Sequence, residues 1–535
     1  MLALRLWAKT EPFHPLICHM LDAGITAQAL LATTCFNNIA VKFTEATDCP
    51  TNIDPSSWLA YLTAMHDIGK AHAGFQKKAG PEFCASLEEA GIDCRYPFDG
   101  FRHDGLSGRW ILDFLQENGW PRQSAWTVSL ALRGHHSDFS AGDPEDGIPE
   151  DPLWEKLRTD VEKTIRDVFS PKPWRAEFLN HSITGIILSG VIVLSDWIAS
   201  NNELFPKEAG ECKHLDIAEY VARSRRLAAA AIGKLGFNVE IDWSEKQLFT
   251  EVWRGTGFSP RPIQKRCEEL CKEGLPPGLA IIEAPMGEGK TEAAIYLGVQ
   301  WLNSCDLAGF YLALPTAATS NQMYDRFSSF LNVHDTSGSQ SVRLVHGTAW
   351  MHDSATPTYE PSIESSNEND LQDFDWFQPK KRSLLAPFGV GTIDQALMSV
   401  LHVRFGFLRL FGLAGKVLVI DEVHAYDAYM SAILELLLKW CNAIKLPVIM
   451  LSATLPAEKR ATLVKSFFDG AEKELACSGA LTPYPLLTFV SSDGEVKEEP
   501  IEPSSRKVRI FLQKEQGILE DYQAIANIIA ERAAH

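Results

Sequence analysis

The sequence predicts a multidomain chain in which an all-α domain is followed by an α/β domain with a mainly parallel sheet. Two textures and one order of motifs predict it. From Pro15 to about Ala230 the apolar residues recur at helical spacing, as in LICHMLDAGITAQALLA and SITGIILSGVIVLSDWIA, with Gly, Pro and Asp clustered between the helical stretches. Beyond residue 255 the chain turns to short β-rich runs, LAIIEAPMGEGKT, GFYLALPT, SVRLVHG, KVLVIDEVH and PVIMLSAT, each closed by small or polar residues. Strands alternating with helical segments imply βαβ units. The expected boundaries are an α domain over 1–232, a linker over 233–254, an α/β domain over 255–475, and the opening of a further α/β unit over 476–535. Tyr359 to Asp375, rich in Ser, Glu, Asn and Asp, reads as a solvated insertion.

A chain of 535 residues, 45% hydrophobic and 22% charged, has enough apolar surface for two or three cores. Its net charge of −19 is spread over both halves, so bulk charge does not attract a polyanion. A nucleic acid would have to be held by a local basic groove, by metal ions or by backbone amides. Eleven cysteines, odd in number and without a CxxC pair, fit reduced thiols and a cytoplasmic location. The first residues lack a signal-peptide core and cleavage site. The most apolar stretch, Ile183 to Ile198, is short for a membrane span and contains Ser189, Ser195 and Asp196; it reads as a buried helix.

Within the α domain the informative residues are histidines, eight of which precede residue 200. His66-Asp67-Ile68-Gly69-Lys70 places imidazole and carboxylate side by side, where both can ligate one metal while the carboxylate reaches a second. His19 precedes the pair; His103, the doublet His135-His136 and Asp196 follow it. Asp196 stands out because an acid in the most apolar helix needs a partner. A hydrogen-bonded core imidazole is the ordinary fate of a lone histidine, and is expected for His14, His72 and His181.

In the α/β domain Gly287-Glu288-Gly289-Lys290-Thr291 follows the strand Leu279 to Glu283 and opens a helix. The glycines turn backbone N–H groups onto phosphate oxygens, Lys290 supplies a point charge and Thr291 a hydroxyl for Mg²⁺. Ala284 stands where this pattern usually has its first glycine. Asp421-Glu422-Val423-His424 closes the strand Lys416 to Ile420; there Asp421 would hold Mg²⁺ and Glu422 would activate water. Ser452-Ala453-Thr454 and Pro315-Thr316 close two further strands, so four strand ends converge on one crevice.

Together these motifs resemble the DExH branch of superfamily 2 helicases, with Arg261-Pro262-Ile263-Gln264 in the position of the adenine-reading glutamine motif. The resemblance implies that 255–475 is a first RecA-like domain binding ATP with Mg²⁺ through Gln264, Gly287 to Thr291, Asp421, Glu422, Ser452 and Thr454. It further implies that the segments around Thr316 and Thr392-Ile393-Asp394-Gln395 face single-stranded nucleic acid. The histidine order resembles the HD-superfamily metal phosphohydrolases, implying a centre of two transition-metal ions (Mn, Fe, Co or Ni) held by His19, His66, Asp67, His103, His135, His136 and Asp196, with Lys70 near the scissile phosphate.

The combination resembles the CRISPR-associated HD-nuclease/helicases of type I systems. That resemblance implies single-stranded DNA as substrate and an RNA-guided surveillance complex as partner. Such motors need a second RecA-like domain, and here only Lys507 to Leu512, a strand, and Asp521 to Ala534, a helix, follow. The sequence therefore also predicts poor motor activity from this chain by itself, unless a separate chain supplies the missing half. An HD nucleotide phosphohydrolase regulated by ATP, and a non-catalytic fragment that binds DNA or the complex, remain open on sequence grounds.

Overall fold

The fold was read from a computed structural model, which describes residues 2–10, 13–96, 101–137, 152–206, 216–243, 247–254, 259–335, 338, 340–345, 382–468, 483–491, 494–504 and 522–533. A hairpin of β1 (Trp7–Thr10) and β2 (Phe13–Pro15) leads into the helices α1 (Leu16–Leu31), α2 (Asn37–Ala46), α3 (Pro55–Ala64), α4 (Ala73–Gln76), α5 (Pro81–Glu88), α6 (His103–Glu117), α7 (Arg122–Arg133), α8 (Pro152–Phe169), α9 (His181–Ser200) and α10 (Ile217–Leu235). Local chemistry starts several of them. The Asp54 carboxylate accepts from the N–H groups of Ser56 and Ser57 with Pro55 at the first helical position, and Asn180 and Asp216 cap α9 and α10 in the same way. The apolar helix α9 is long and apolar enough to cross a membrane by composition, but it lies inside this bundle, packed on α1, α2, α3 and α7.

The expected linker is inlaid rather than solvated. Helix α10 runs two residues past 233, Phe237 packs edge-on against Phe36, and Trp243 stacks on Phe330. Its apolar residues serve both domains, which its mixture of Gly, Asn, Asp and Trp does not reveal.

The α/β part contains α11 (Phe249–Val252), α12 (Pro262–Lys272), β3 (Gly278–Glu283), α13 (Lys290–Cys305), β4 (Gly309–Leu314), α14 (Ala317–His334), β5 (Val342–Val345), β6 (Phe388–Thr392), α15 (Ile393–Leu397), α16 (Gly406–Leu413), β7 (Lys416–Ile420), α17 (Ala428–Ala443), β8 (Val448–Ser452), α18 (Ala457–Phe467), β9 (Leu486–Ser491), β10 (Val496–Pro500) and α19 (Tyr522–Ala533). The strands form one sheet in the order β10-β9-β3-β8-β7-β4-β6-β5. From β3 to β5 all neighbours are parallel, and β3, β4, β6, β7 and β8 are buried along their whole length. Side chains alternate between its faces. Ala280, Ile282, Phe310 and Leu312 pack in one core with α13 and α14, while Leu279, Ile281, Tyr311 and Leu418 join the core that continues into the helical domain.

Residues 486–500 correct the boundary expected at 475. β9 runs antiparallel to β3 and β10 antiparallel to β9, so both extend the first α/β sheet instead of opening a new one. A strand's pairing partner is a tertiary fact that its own sequence does not carry. The segments Tyr359 to Asp375 and Lys507 to Leu512 lie outside the described residues; of Asp521 to Ala534, Tyr522–Ala533 is helical.

The two parts meet where α9 packs on α16 and where α2 reaches the residues that follow α16 and α17. A Cβ on Gly190 would lie 2.2 Å from Phe411 Cγ, so only glycine lets the two helices come this close. Lys42 Nζ donates to the carbonyl of Ile444 at 2.7 Å, and Lys445 pairs with Glu45 at 2.6 Å.

Candidate metal centre and nucleotide cleft

Five segments of the helical domain carry the predicted ligands to one place. α1 supplies His19; α3 ends at Ala64 and tightens into a 3₁₀ turn, Met65–Lys70, that presents His66, Asp67 and Lys70. His103 is the first residue of α6, His135 and His136 lie in the 3₁₀ turn after α7, and Asp196 is near the end of α9. Gly69 makes the approach of α6 possible: a Cβ there would lie 2.1 Å from the His103 carbonyl oxygen. Its N–H donates to Ser107 Oγ at 2.9 Å.

The ligand atoms form two groups, His19 with His66 and Asp196, and His103 with His135 and His136, each gathered within 4.8 Å. Asp67 lies between them. Its Oδ2 is 3.0 Å from His19 Nε2 and 3.4 Å from His66 Nε2, whereas its Oδ1 is 3.2 Å from His103 Nε2 and 3.6 Å from His135 Nε2. Asp196 Oδ1 stands 3.3 Å from His19 Nε2 and 3.6 Å from His66 Nε2. Despite this crowding, His66 Nε2, His135 Nε2 and Asp67 Oδ1 are buried without a hydrogen-bond partner. Buried polar atoms that converge yet do not pair are what a cation between them would satisfy, so the donor set fits divalent metal.

Backbone carbonyls fix two of the imidazoles. His66 Nδ1 is 2.9 Å from Thr63 O, and His135 Nδ1 is 2.6 Å from Leu132 O. Donation from Nδ1 leaves the Nε2 lone pair free for a metal. These carbonyls belong to the preceding helical turn and carry no sequence signal. Burial works against a charged His66, but Asp67 and Asp196 outweigh it and raise its pKa to about 10; burial lowers His135 and His136 to about 4. Burial also opposes ionisation of Asp67 and Asp196, yet Lys70 and the histidines around it hold Asp67, and His19 and His66 hold Asp196, well below the ordinary range. Lys70 Nζ sits 2.6 Å from Asp67 Oδ2. His19, His66 and His135 are buried, His103, Asp196 and Lys70 are half-buried, and His136 is exposed, so His136 marks the accessible side.

The histidines expected to be structural lie outside both groups. His14 meets Asp22 at 3.1 Å, His72 accepts from the Gly74 N–H at 2.9 Å and stacks on Phe101, and His181 is 2.8 Å from Thr127 Oγ1. Sequence reasoning missed Asp22, which accepts from Tyr220 and Ser224 and pins α1 to α10.

In the α/β domain the predicted nucleotide residues stand at neighbouring strand ends: Gly287 to Thr291 after β3, Ser452 and Thr454 at and after β8, Asp421 and Glu422 after β7, and Thr316 after β4. Gly287 and Gly289 have φ of 80° and 79°, the left-handed region the turn requires. Lys290 Nζ donates to the carbonyls of Ala284 and Pro285 at 2.8 and 3.2 Å, and Ser504 donates to Glu288 at 2.5 Å. Gln264 accepts from the Arg261 N–H at 2.9 Å and donates to Gly289 O at 3.2 Å, so in this arrangement it clamps the loop. His424 Nδ1 lies 3.2 Å from both Glu422 Oε2 and Ser452 Oγ, and Ser452 donates to Thr454 O, linking two of the motifs. Burial, reinforced by Glu422, raises the Asp421 carboxyl pKa.

A helical bundle with this His/Asp cluster, joined to a parallel sheet with this loop, defines an HD domain fused to a helicase domain. Family comparison agrees: residues 7–205 match the Cas3 HD domain and residues 261–463 match the DEAD/DEAH box helicases. The chain carries a Cas3 HD domain followed by a DEAD/DEAH box helicase domain and is strongly similar to the Cas3 nuclease/helicases. It is 32% identical to the CRISPR-associated endonuclease/helicase Cas3 of Thermus thermophilus, over 96% of this chain and 55% of that protein. The crystal structure of T. fusca Cas3 with AMPPNP superposes with a TM-score of 0.80 at 29% identity, over 98% of this chain and 60% of that one. A chain of a CRISPR RNA-guided surveillance complex, pre-nicking, gives 0.72 at 25% identity, over 99% and 62%. The chain thus spans about half the length of the curated relatives it matches.

Proposed function

We propose that the HD domain is a metal-dependent nuclease acting on single-stranded DNA, and that the helicase domain binds ATP with Mg²⁺ as part of a motor working on the same strand. The observation that carries this reading is the division of Asp67, one carboxylate oxygen toward each group of ligands. Bound there, two divalent ions would supply Lewis acidity toward both the attacking water and the leaving oxygen of a phosphodiester. The protein's part is to aim those ligands, to hold the Asp67 and Asp196 carboxyls ionised, and to admit the strand from the exposed His136 side. Lys70 places a positive charge beside Asp67, where it serves the scissile phosphate. Asp421 and Thr291 are the Mg²⁺-holding groups of the cleft, Lys290 its phosphate cation and Glu422 its base.

Likeness to a chain in a surveillance complex supports recruitment by such a complex to DNA it has opened. The −19 net charge fits recruitment by a partner better than capture of DNA by the bulk protein. The decisive experiment is cleavage of a labelled single-stranded DNA circle with Mn²⁺, Co²⁺ or Ni²⁺ and no ATP, comparing the protein with Asp67→Ala. Cleavage lost in the variant is expected. No cleavage by either, or faster turnover of mononucleotides than of DNA, would overturn the nuclease reading.

A further inference from the structure

Phe405 belongs to the helicase domain, just before α16, but it reaches into the HD domain at two points. Its backbone N–H donates to Ser137 Oγ at 2.8 Å, and its ring meets the Trp197 ring at 64° with centroids 5.1 Å apart. Ser137 directly follows His135 and His136, and Trp197 directly follows Asp196. One helicase residue therefore touches the immediate neighbour of a ligand in each of the two groups flanking Asp67.

The contact is closely specified. Phe405 is 4% exposed and adopts φ of 59°, and Ser137 adopts φ of 65°, a region that residues with a side chain rarely occupy unless their surroundings demand it. The Arg382 guanidinium, also from the helicase domain, lies 4.9 Å from the Trp197 ring centroid. Among the described residues no backbone carbonyl holds the His136 ring as Thr63 and Leu132 hold His66 and His135; its recorded polar contact is with His103 Nε2 at 3.3 Å. The placement of His136 thus depends on the backbone of the turn that Ser137 ends.

We propose that Phe405 is a positioning residue of the metal centre, supplied by the helicase domain: it fixes Ser137 and Trp197, and through them the ligand atoms of His136, His135 and Asp196. The proposal rests on the reading of this cluster as a metal centre. Groups that hold ligands in place are commonly worth about 10- to 100-fold in metal affinity, and an interdomain group in that role makes the centre's affinity a property of both domains.

The test uses the full chain with Mn²⁺ as the titrant in calorimetry and Co²⁺ absorption as a report on coordination geometry. Phe405→Ala is expected to weaken Mn²⁺ binding about 10-fold or more and to alter the Co²⁺ spectrum, in keeping with the usual effect of losing a ligand support. Phe405→Tyr, which keeps the ring, retains both properties, and Ser137→Ala shifts affinity in the same direction as Phe405→Ala without removing apolar bulk. Leu408→Ala, a truncation of a buried residue in α16, lowers the melting temperature but leaves Mn²⁺ affinity unchanged. Wild-type affinity and spectrum in Phe405→Ala, or an equal loss of affinity in Leu408→Ala, would overturn the proposal alone. Failure of the unmodified protein to bind Mn²⁺ would overturn the metal reading itself.

Discussion

Arg460→Met tests how the nucleotide loop is anchored. Arg460, on α18, places Nη1 2.9 Å from Glu283 Oε2 and Nε 3.3 Å from Glu498 Oε1 on β10, and both Arg460 and Glu283 are almost fully buried. Glu283 ends β3, directly before the loop that begins at Ala284. At 2.9 Å and an effective dielectric of ~20 the gross attraction is about 6 kcal/mol. Desolvation of two ions offsets most of it, so the pair itself contributes little net stability, yet deleting one partner strands the other and costs about 3–5 kcal/mol. Burial already raises the Glu283 carboxyl, with Arg460 pulling it back; without Arg460 its folded pKa rises further above the unfolded value. The folded variant then binds more protons than the unfolded chain, so its deficit shrinks as pH falls through that raised pKa and grows toward neutrality. Urea unfolding at pH 5 and pH 8, followed by tryptophan fluorescence, measures this directly. The double variant Glu283→Gln/Arg460→Met is expected to recover most of the loss. A cost below about 1 kcal/mol at pH 8, or a double variant as unstable as the single one, would refute the reasoning.

Lys290→Ala removes the loop's cation, and an ATP analogue should bind about 10- to 100-fold more weakly by fluorescence titration, the worth of a charge-assisted hydrogen bond, while ATP-independent cleavage of single-stranded DNA is unchanged. Gly190→Ala drives a methyl into Phe411 and should destabilise by about 1–3 kcal/mol, less the ~1 kcal/mol gained in helix propensity; a raised melting temperature would contradict the close helix crossing. Lys416 is buried at the start of β7, donating to Leu384 O, and burial lowers its pKa to about 7, partly offset by Cys35. Its buried charge opposes folding in full below pH 7, and that penalty fades as pH rises toward the unfolded value of about 10.4. The urea midpoint of the protein should therefore rise between pH 7 and 9 relative to Lys416→Met, and parallel pH profiles would refute it.

Much of the candidate site was legible because its signals are local. Left-handed glycines at 287 and 289, a strand running into Asp421, and an acid inside the apolar helix at 196 are each readable from a few neighbouring residues. Periodicity likewise separated helical from sheet-bearing sequence, since 3.6 and 2 are repeats of the chain itself. The packing of the linker was not legible for the converse reason: Phe237 and Trp243 are ordinary apolar residues until their partners in two domains are known.

By itself the sequence determined the order of the two domains, the types of residue available to each site and the turns that present them. Only the tertiary structure decided that β9 and β10 extend the first sheet, that Asp67 divides its oxygens between two sets of histidines, and that Phe405 of the other domain touches a chain neighbour of each set. The physical reason is that torsional preferences and hydrogen-bond spacing act over a turn or two of chain. The separation of Asp67 from Asp196, or of Ser137 from Phe405, is instead set by how whole helices pack, through side-chain volumes such as the missing methyl at Gly190 that no short stretch of sequence encodes.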